Sequence, residues 1–264
     1  MAEYDYILFE VRDRVAWITL NRPDVLNAMH PPMAEELCDA WEQVRDDDDI
    51  WVGVLTGSGE RAFSAGADLK WRAEAGDAVR EHNRAEAIGA ARGFQRGRDC
   101  WKPLIAAVNG YAVGGGLELV LGCDIAVAAE HAQFGLPEAR RGLLADGGGI
   151  HKLVRRVPWS VAMQMILTGE FIGAAEARRV ELVNEVVPMG ELGAATERWV
   201  AKVLACAPLA VQAAKEAAVS GREMGVWEAV NTVFAGAERM YESEDFVEGA
   251  KAFAAKRDPQ WQGK

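Results

Sequence analysis

Three consecutive glycines, Gly114-Gly115-Gly116, stand between the apolar run Leu104–Val108 and the apolar run Leu117–Leu121. Glycine loses more conformational freedom on folding than any other residue, so such a run at a strand-to-helix junction is costly. It makes sense where backbone must approach a ligand closely and aim N–H groups at it. The first turn of a helix offers such groups, because they have no partner inside the helix. Close packing of a helix on a strand is the plainer explanation, and one glycine would satisfy it. The run is not a dinucleotide fingerprint, since G-x-G-x-x-G counted from Gly114 requires glycine where Leu119 stands. Nor is it a P-loop, because no Gly-Lys-Ser/Thr follows. Glu118 shares a helical face with Gly114 and Gly115, and its side chain leans back toward the N-terminal turn. Its carboxylate is therefore expected over a surface bared of side chains.

Around this junction the pattern alternates. Residues 7–11 and 15–20 read as a hairpin, and Trp51–Leu55, Leu104–Val108, Ile125–Ala128 and Leu182–Val187 as further strands. Apolar residues at Met33, Leu37, Ala40, Trp41 and Val44 predict a helix over Met33–Arg45, closed by the acidic run Asp46–Asp49. The polar stretch Lys70–Arg98 reads as helical. Long connections between strands predict an α/β fold with parallel pairing. Strand signals stop near residue 195. Pro208–Ser220, with Gly221 just past its end, then Val226–Tyr241 and Glu244–Lys256, predict an all-helical tail. The chain divides on this reading into an α/β body, 1–195, and a helical region, 196–264. Trp227, Phe234, Phe246 and Phe253 are expected to pack on the body or on another subunit.

Composition narrows the function. Half of the 264 residues are hydrophobic and 26% are charged, which excludes disorder, collagen-like repeats and a coiled-coil rod. With 29 Lys and Arg against 40 Asp and Glu the net charge is −11, and a phosphate-neutralising nucleic-acid binder is disfavoured. The four cysteines form no C-x-x-C pair, no H-E-x-x-H spacing occurs, and no metal is expected. Ser58 and Ser64 lack a G-x-S-x-G context, and His30, His82, His131 and His151 have no recognisable partner pattern, which disfavours serine hydrolysis. No basic start followed by an apolar run suggests export, and no membrane-spanning run occurs, so a cytoplasmic protein is expected.

Two more segments can contribute chemistry. Phe63-Ser64-Ala65-Gly66-Ala67-Asp68-Leu69-Lys70 is a small-residue loop leading into a helix, for which Asp68 as a helix cap is the simplest reading. Phe134-Gly135-Leu136-Pro137-Glu138 is followed by Gly142-Leu143-Leu144-Ala145-Asp146-Gly147-Gly148-Gly149, so that Glu118, Glu138 and Asp146 are three carboxylates that can converge on one pocket.

These segments, in this order, resemble the crotonase superfamily, the enoyl-CoA hydratase and isomerase group. The resemblance also covers Asn21-Arg22-Pro23, Leu26-Asn27-Ala28, Ile105 to Gly110, Cys123-Asp124, Leu167-Thr168-Gly169 and the ending Glu248-Gly249, Ala252-Phe253, Lys256-Arg257. It implies a spiral of ββα units with a C-terminal helical tail that builds trimers, commonly paired into hexamers. It implies an acyl-CoA substrate whose thioester oxygen lies between the backbone amides of Ala67 and Gly115, with Glu118 and Glu138 as the catalytic pair. Val25, Ala65, Asp68, Leu69, Lys70 and Gly114 match positions along the substrate path, and Lys256 matches a tail lysine that reaches CoA phosphates. No separate cofactor is implied, since coenzyme A is part of the substrate, and neither nucleic acid nor membrane is an expected partner. Keeping both glutamates points to 2-enoyl-CoA hydration, with a double-bond isomerase or a carnitinyl-CoA dehydratase-like activity as the alternatives.

Three departures stand out. Ala145-Asp146 replaces the usual Pro-Gly and makes Asp146 a possible additional acid. Asp24 stands where a basic residue is frequent. Glu181 replaces a common glycine before Leu182-Val183-Asn184. Arg80, Arg84, Arg92, Arg96 and Arg98 lie in the segment that would wall the acyl pocket, where one facing inward would suit an acyl carboxylate.

Overall fold

The computed structural model describes residues 4–75 and 100–264. The five arginines of the segment 80–98, His82 and most of the helix expected over Lys70–Arg98 therefore lie outside the described residues.

Strands β1 (Ile7–Arg12) and β2 (Val15–Leu20) form the expected antiparallel hairpin. Its two turn residues, Asp13 and Arg14, both have positive φ, as a two-residue turn matched to strand twist requires. From β2 the sheet continues in order through β3 (Val52–Gly57), β5 (Leu104–Val108), β7 (Ile125–Ala129) and β10 (Glu185–Val187), each parallel to the strand before it. Every residue of β5 is buried, which explains its unbroken apolar run: a strand covered on both faces has no polar side to show. Helix α1 (Pro31–Asp46) buries the five apolar residues that predicted it. The last strand is shorter than the sequence pattern suggested, because Leu182 to Asn184 belong to the loop leading into it.

A second, four-stranded sheet escaped the sequence pattern. Its strands β4 (Ala62–Ser64), β6 (Tyr111–Val113), β8 (Gln133–Gly135) and β9 (Ile172–Gly173) have two or three residues each, too few for an alternation to register. β4, β6 and β8 are parallel neighbours in that order. Each follows a first-sheet strand after a short turn: β3 leads to β4, β5 to β6, β7 to β8. Helix α2 (Leu69–Ala75) follows β4, helix α3 (Gly115–Gly122) follows β6, and the 3-10 turn Pro137–Arg141 follows β8. The unit is thus β-β-helix, repeated. Buried amides pin it: Asn109 Nδ2 donates to the carbonyls of Gly57 and Gly59 at 2.9 and 2.7 Å, and Asn27 Nδ2 to that of Ala62 at 2.9 Å.

The C-terminal region is helical, with helices Leu192–Leu204, Pro208–Gly221, Val226–Asn231, Ala235–Glu242 and Glu244–Ala255. The first packs Val200 and Trp199 under the parallel sheet. Lys215 ties the second to the body through Asp124 Oδ2 at 2.7 Å and the Lys102 carbonyl at 2.9 Å. Gly221 is the last residue of its helix rather than the residue beyond it. The helix expected over Val226–Tyr241 is broken at Thr232–Phe234. Trp227, Val230, Val233 and Phe253 are all exposed in the single chain. Among the described residues no single helix is long and apolar enough to cross a membrane.

Candidate active site

The repeated unit explains why distant segments meet. The loops leaving β4, β6 and β8 issue side by side from the same end of one sheet, the C-terminal ends of its parallel strands. They carry Ala65–Asp68, Gly114-Gly115 and Leu136–Glu138 respectively. The Gly114 amide donates to the Gly135 carbonyl at 2.9 Å and joins the second loop to the third.

The glycines have separate causes. Gly114 has φ +57° and ψ −130°, a conformation that only glycine adopts readily, and a Cβ there would lie 3.0 Å from Glu138 Oε1. A Cβ on Gly116 would lie 2.2 Å from the Ser64 carbonyl oxygen, so α3 rests directly on the β4 loop. Close helix packing is therefore the reason for Gly116, but it does not account for Gly114. Gly66 seats the first loop against the second: a Cβ there would meet the Val113 carbonyl at 2.7 Å and the Gly115 nitrogen at 2.9 Å.

Two amides are left open by this arrangement. Met29 donates to the Gly66 carbonyl and accepts from the Asp68 amide, both at 2.8 Å, so the alternation of an extended chain turns the Ala67 N–H to the other side. Gly115 opens α3, where an N–H has no helical partner. No hydrogen bond among the described residues takes either group.

The two glutamates have contrasting surroundings. Glu118 is buried on α3, and its Oε1 accepts from the Gly149 amide at 2.8 Å, at the first turn of helix α4 (Gly149–Arg156). Glu138, on the 3-10 turn, keeps Oε2 buried with no hydrogen-bond partner among the described residues. Burial pushes its pKa up; a hydrogen bond from its own backbone amide opposes the shift, and the negative charge of Asp146 adds to it. Asp146 lies exposed in the turn that links Glu138 to Gly149, and its neighbour Ala145 packs against Gly149.

The other residues singled out in the sequence spread along the first loop and beyond. Val25 ends an exposed 3-10 turn, and the Ala65 amide donates to the carbonyl of Leu26, the next residue, at 2.9 Å. Leu69 and Lys70 open α2, both exposed. Asp68 caps that helix, with Oδ1 accepting from the Trp71 amide at 3.1 Å, and Oδ2 pairs with Arg22 Nη1 at 3.0 Å. Lys256 ends the last helix with φ +53° and an exposed side chain, and no hydrogen bond or ion pair among the described residues joins it to the glutamates. Two participants were not singled out in the sequence. The Gly149 amide holds Glu118, which the glycine run 147–149 hinted at. Lys152, one turn into α4, has its pKa pushed down to about 8 by burial, while Cys123 and Glu118 oppose that shift. No group of three or more His, Cys, Asp or Glu that could hold a metal occurs among the described residues.

Comparison with known proteins identifies the family. The enoyl-CoA hydratase/isomerase family model matches residues 10–264. The chain is 40% identical over 259 residues to (E)-benzylidenesuccinyl-CoA hydratase of Thauera aromatica, covering 97% of this chain and 99% of that protein. It is 41% identical over 250 residues to carnitinyl-CoA dehydratase of Salmonella arizonae, covering 93% and 94%. The crystal structure of enoyl-CoA hydratase from Bacillus anthracis superposes with a TM-score of 0.91 at 33% identity, covering 98% of this chain and 100% of that one.

Proposed function

The chain belongs to the enoyl-CoA hydratase/isomerase family, and from that premise we propose that it adds water reversibly across the double bond of a 2-trans-enoyl-CoA thioester. The observation that carries the reading is the meeting of two unpartnered backbone amides and two buried or half-buried carboxylates at one end of a sheet. The thioester oxygen lies between the N–H groups of Ala67 and Gly115. Water addition at C3 pushes electrons through the conjugated system onto that oxygen, and the two fixed dipoles stabilise the charge. Losing one such donor typically costs ~3–4 kcal/mol.

Glu118 takes a proton from water as its oxygen bonds to C3, and Glu138 delivers a proton to C2, leaving a neutral 3-hydroxyacyl thioester. The environments support this division. Glu118 accepts from a helix-terminal amide, a donor suited to a carboxylate, whereas Glu138 is desolvated and resists ionisation. A carboxyl kept from ionising by burial is suited to the acid role, and one held by an N–H donor to the base role. Each positioned group contributes roughly 10²–10⁴-fold. The reaction needs no group beyond the CoA ester itself.

The two named relatives carry out hydration or dehydration of CoA esters, which favours that class over double-bond migration. Their acyl groups, together with Asp146 beside Glu138, support a substrate more polar than a plain short chain. The exposed apolar face of the tail is assigned to contacts with further copies, as a trimer or a pair of trimers. A panel of 2-enoyl-CoA esters that includes crotonyl-CoA tests the reading by loss of the conjugated-thioester absorbance. At least one ester is hydrated and Glu138→Gln nearly stops it. Unchanged absorbance across the panel defeats the reading, and normal turnover by Glu138→Gln defeats the division of roles. Dienoyl-CoA turnover abolished by Asp146→Asn, with crotonyl-CoA turnover intact, would support the isomerase instead.

A further inference from the structure

We propose that Arg22 and Asp68 are positioning residues that hold the Ala67 amide on its target through a half-buried ion pair; this rests on reading that amide as a thioester-oxygen donor. Neither side chain is expected to touch the reacting atoms. Their effect is mechanical, and each restraint can be traced.

Ala67 is flanked by two tethers to one segment, since Gly66 and Asp68 both bond Met29. The Asp68 side chain adds a third tether to that segment, from Oδ2 to Arg22 Nη1 at 3.0 Å, while the same nitrogen donates to the Ala28 carbonyl. Asp68 Oδ1 meanwhile closes the first turn of α2. One carboxylate thus fixes the loop from both ends. Arg22 is itself anchored: its amide donates to Asn27 Oδ1 at 2.9 Å and its carbonyl accepts from the Asn27 amide at 2.9 Å. Asn27 in turn grips Ala62 of β4, so the restraint runs in a closed ring through the unit that carries the site.

Water is largely kept from the pair. The two side chains are 19% and 10% exposed, the Tyr6 ring lies 6.0 Å from the guanidinium, and His30 stacks edge-on against Tyr6 at 4.4 Å. Burial raises the Asp68 pKa, yet the Trp71 amide and Arg22 outweigh it and hold the carboxyl below its ordinary value. A misplacement of about 1 Å is enough to cost a reaction ~10²-fold, so a small loosening of this ring is expected to be visible in turnover.

The test uses butyryl-CoA, a saturated thioester that cannot add water, and S-butyl-CoA, which lacks the carbonyl. Asp68→Asn keeps the helix cap and the shape but removes the ion pair; Arg22→Lys is the milder partner variant. In the wild type, butyryl-CoA binds more tightly than S-butyl-CoA and its carbonyl stretch shifts down on binding. In Asp68→Asn the thioester weakens about tenfold, the scale of one lost hydrogen bond, with under about twofold change for the thioether and partial reversal of the carbonyl shift. Equal weakening of both ligands, or an unchanged shift with only a lower melting temperature, overturns the positioning role. A wild type that neither prefers the thioester nor shifts its stretch overturns the reading of the site itself, before any variant is made.

Discussion

The amide of Gly149 donates to Oε1 of Glu118 at 2.8 Å and couples the first turn of α4 to the carboxylate assigned to water. A Cβ at position 149 would lie 2.9 Å from Glu118 Cγ and 3.3 Å from the Ala145 Cβ. Gly149→Ala therefore displaces the glutamate without altering its chemistry. We expect kcat to fall about 10²-fold, the cost of a small misalignment, with KM changed by less than about threefold. Steady-state kinetics on the best enoyl-CoA checks this. An unaltered kcat would mean that Glu118 does not need the Gly149 contact.

Glu138 sets a pH signature. The glutamate pair carries one proton in either direction of the reaction, on Glu138 before hydration and on Glu118 before dehydration. Hydration neither consumes nor releases a net proton, so kcat/KM profiles measured both ways should superpose as one bell governed by the pair. Burial, reinforced by Asp146, moves the alkaline limb upward. Asp146→Asn removes a charge that opposes ionisation, so the limb should move to lower pH. A shift to higher pH, or none, would show that Asp146 does not act on Glu138.

The same residue trades stability for chemistry. With its folded pKa raised, Glu138 favours folding only while protonated, and ionisation at neutral pH works against the native state. Glu138→Gln keeps the shape and removes the charge. Below about pH 4.3 both proteins are neutral at this position and should melt together. As pH rises from there toward the raised folded pKa, the variant becomes the more stable, and it remains so at neutral pH. Thermal melts at pH 4 and 7 decide it, and a less stable variant at pH 7 contradicts the desolvation argument.

How much of this was legible in the sequence follows element length. The parallel sheet and α1 announce themselves through mostly apolar stretches of four to six residues or a full helical period. The second sheet does not, because strands such as Ala62–Ser64 contribute three residues that no pattern can distinguish from loop. Yet that sheet is what brings Ala67, Gly115 and Glu138 together, and the three segments were tied beforehand only by a family resemblance. Glycines at 66, 114 and 116 signalled close approach without saying to what. The Arg22–Asp68 pair spans 46 residues and had no local signature at all; Asp68 read as a cap, which it is, and its second partner appears only in three dimensions.

Glu181 gives a stability prediction independent of function. Its φ of +63° puts it in the left-handed region that favours glycine, in the tight turn after Arg178. A side chain in that conformation costs roughly 1–2 kcal/mol, partly offset by the greater entropy glycine loses on folding. Glu181 is exposed, so nothing else is lost on substitution. Glu181→Gly should stabilise the protein by about 0.5–1 kcal/mol with unchanged kinetics, read from denaturant midpoints. A destabilised variant would mean that the glutamate makes a compensating contact in solution.

The tail makes the last prediction. Trp227, Val230 and Val233 are 77%, 69% and 71% exposed, close together in the chain, and Phe253 adds a fourth apolar side chain at 87%. Val226 and Val230 lie four residues apart on one helical face, so these two stand together as a patch. Contiguous exposed apolar surface marks an interface. At −11 the chain also repels its own copies, so association must come from burying this surface rather than from charge. The wild type should sediment as a trimer or a pair of trimers, insensitive to moderate salt. Val230→Asp places a charge in the patch and should shift the protein toward single chains while circular dichroism stays unchanged. A wild type that sediments as one chain at micromolar concentration removes the assignment of this face to further copies, and leaves the tail's apolar residues in need of a different partner.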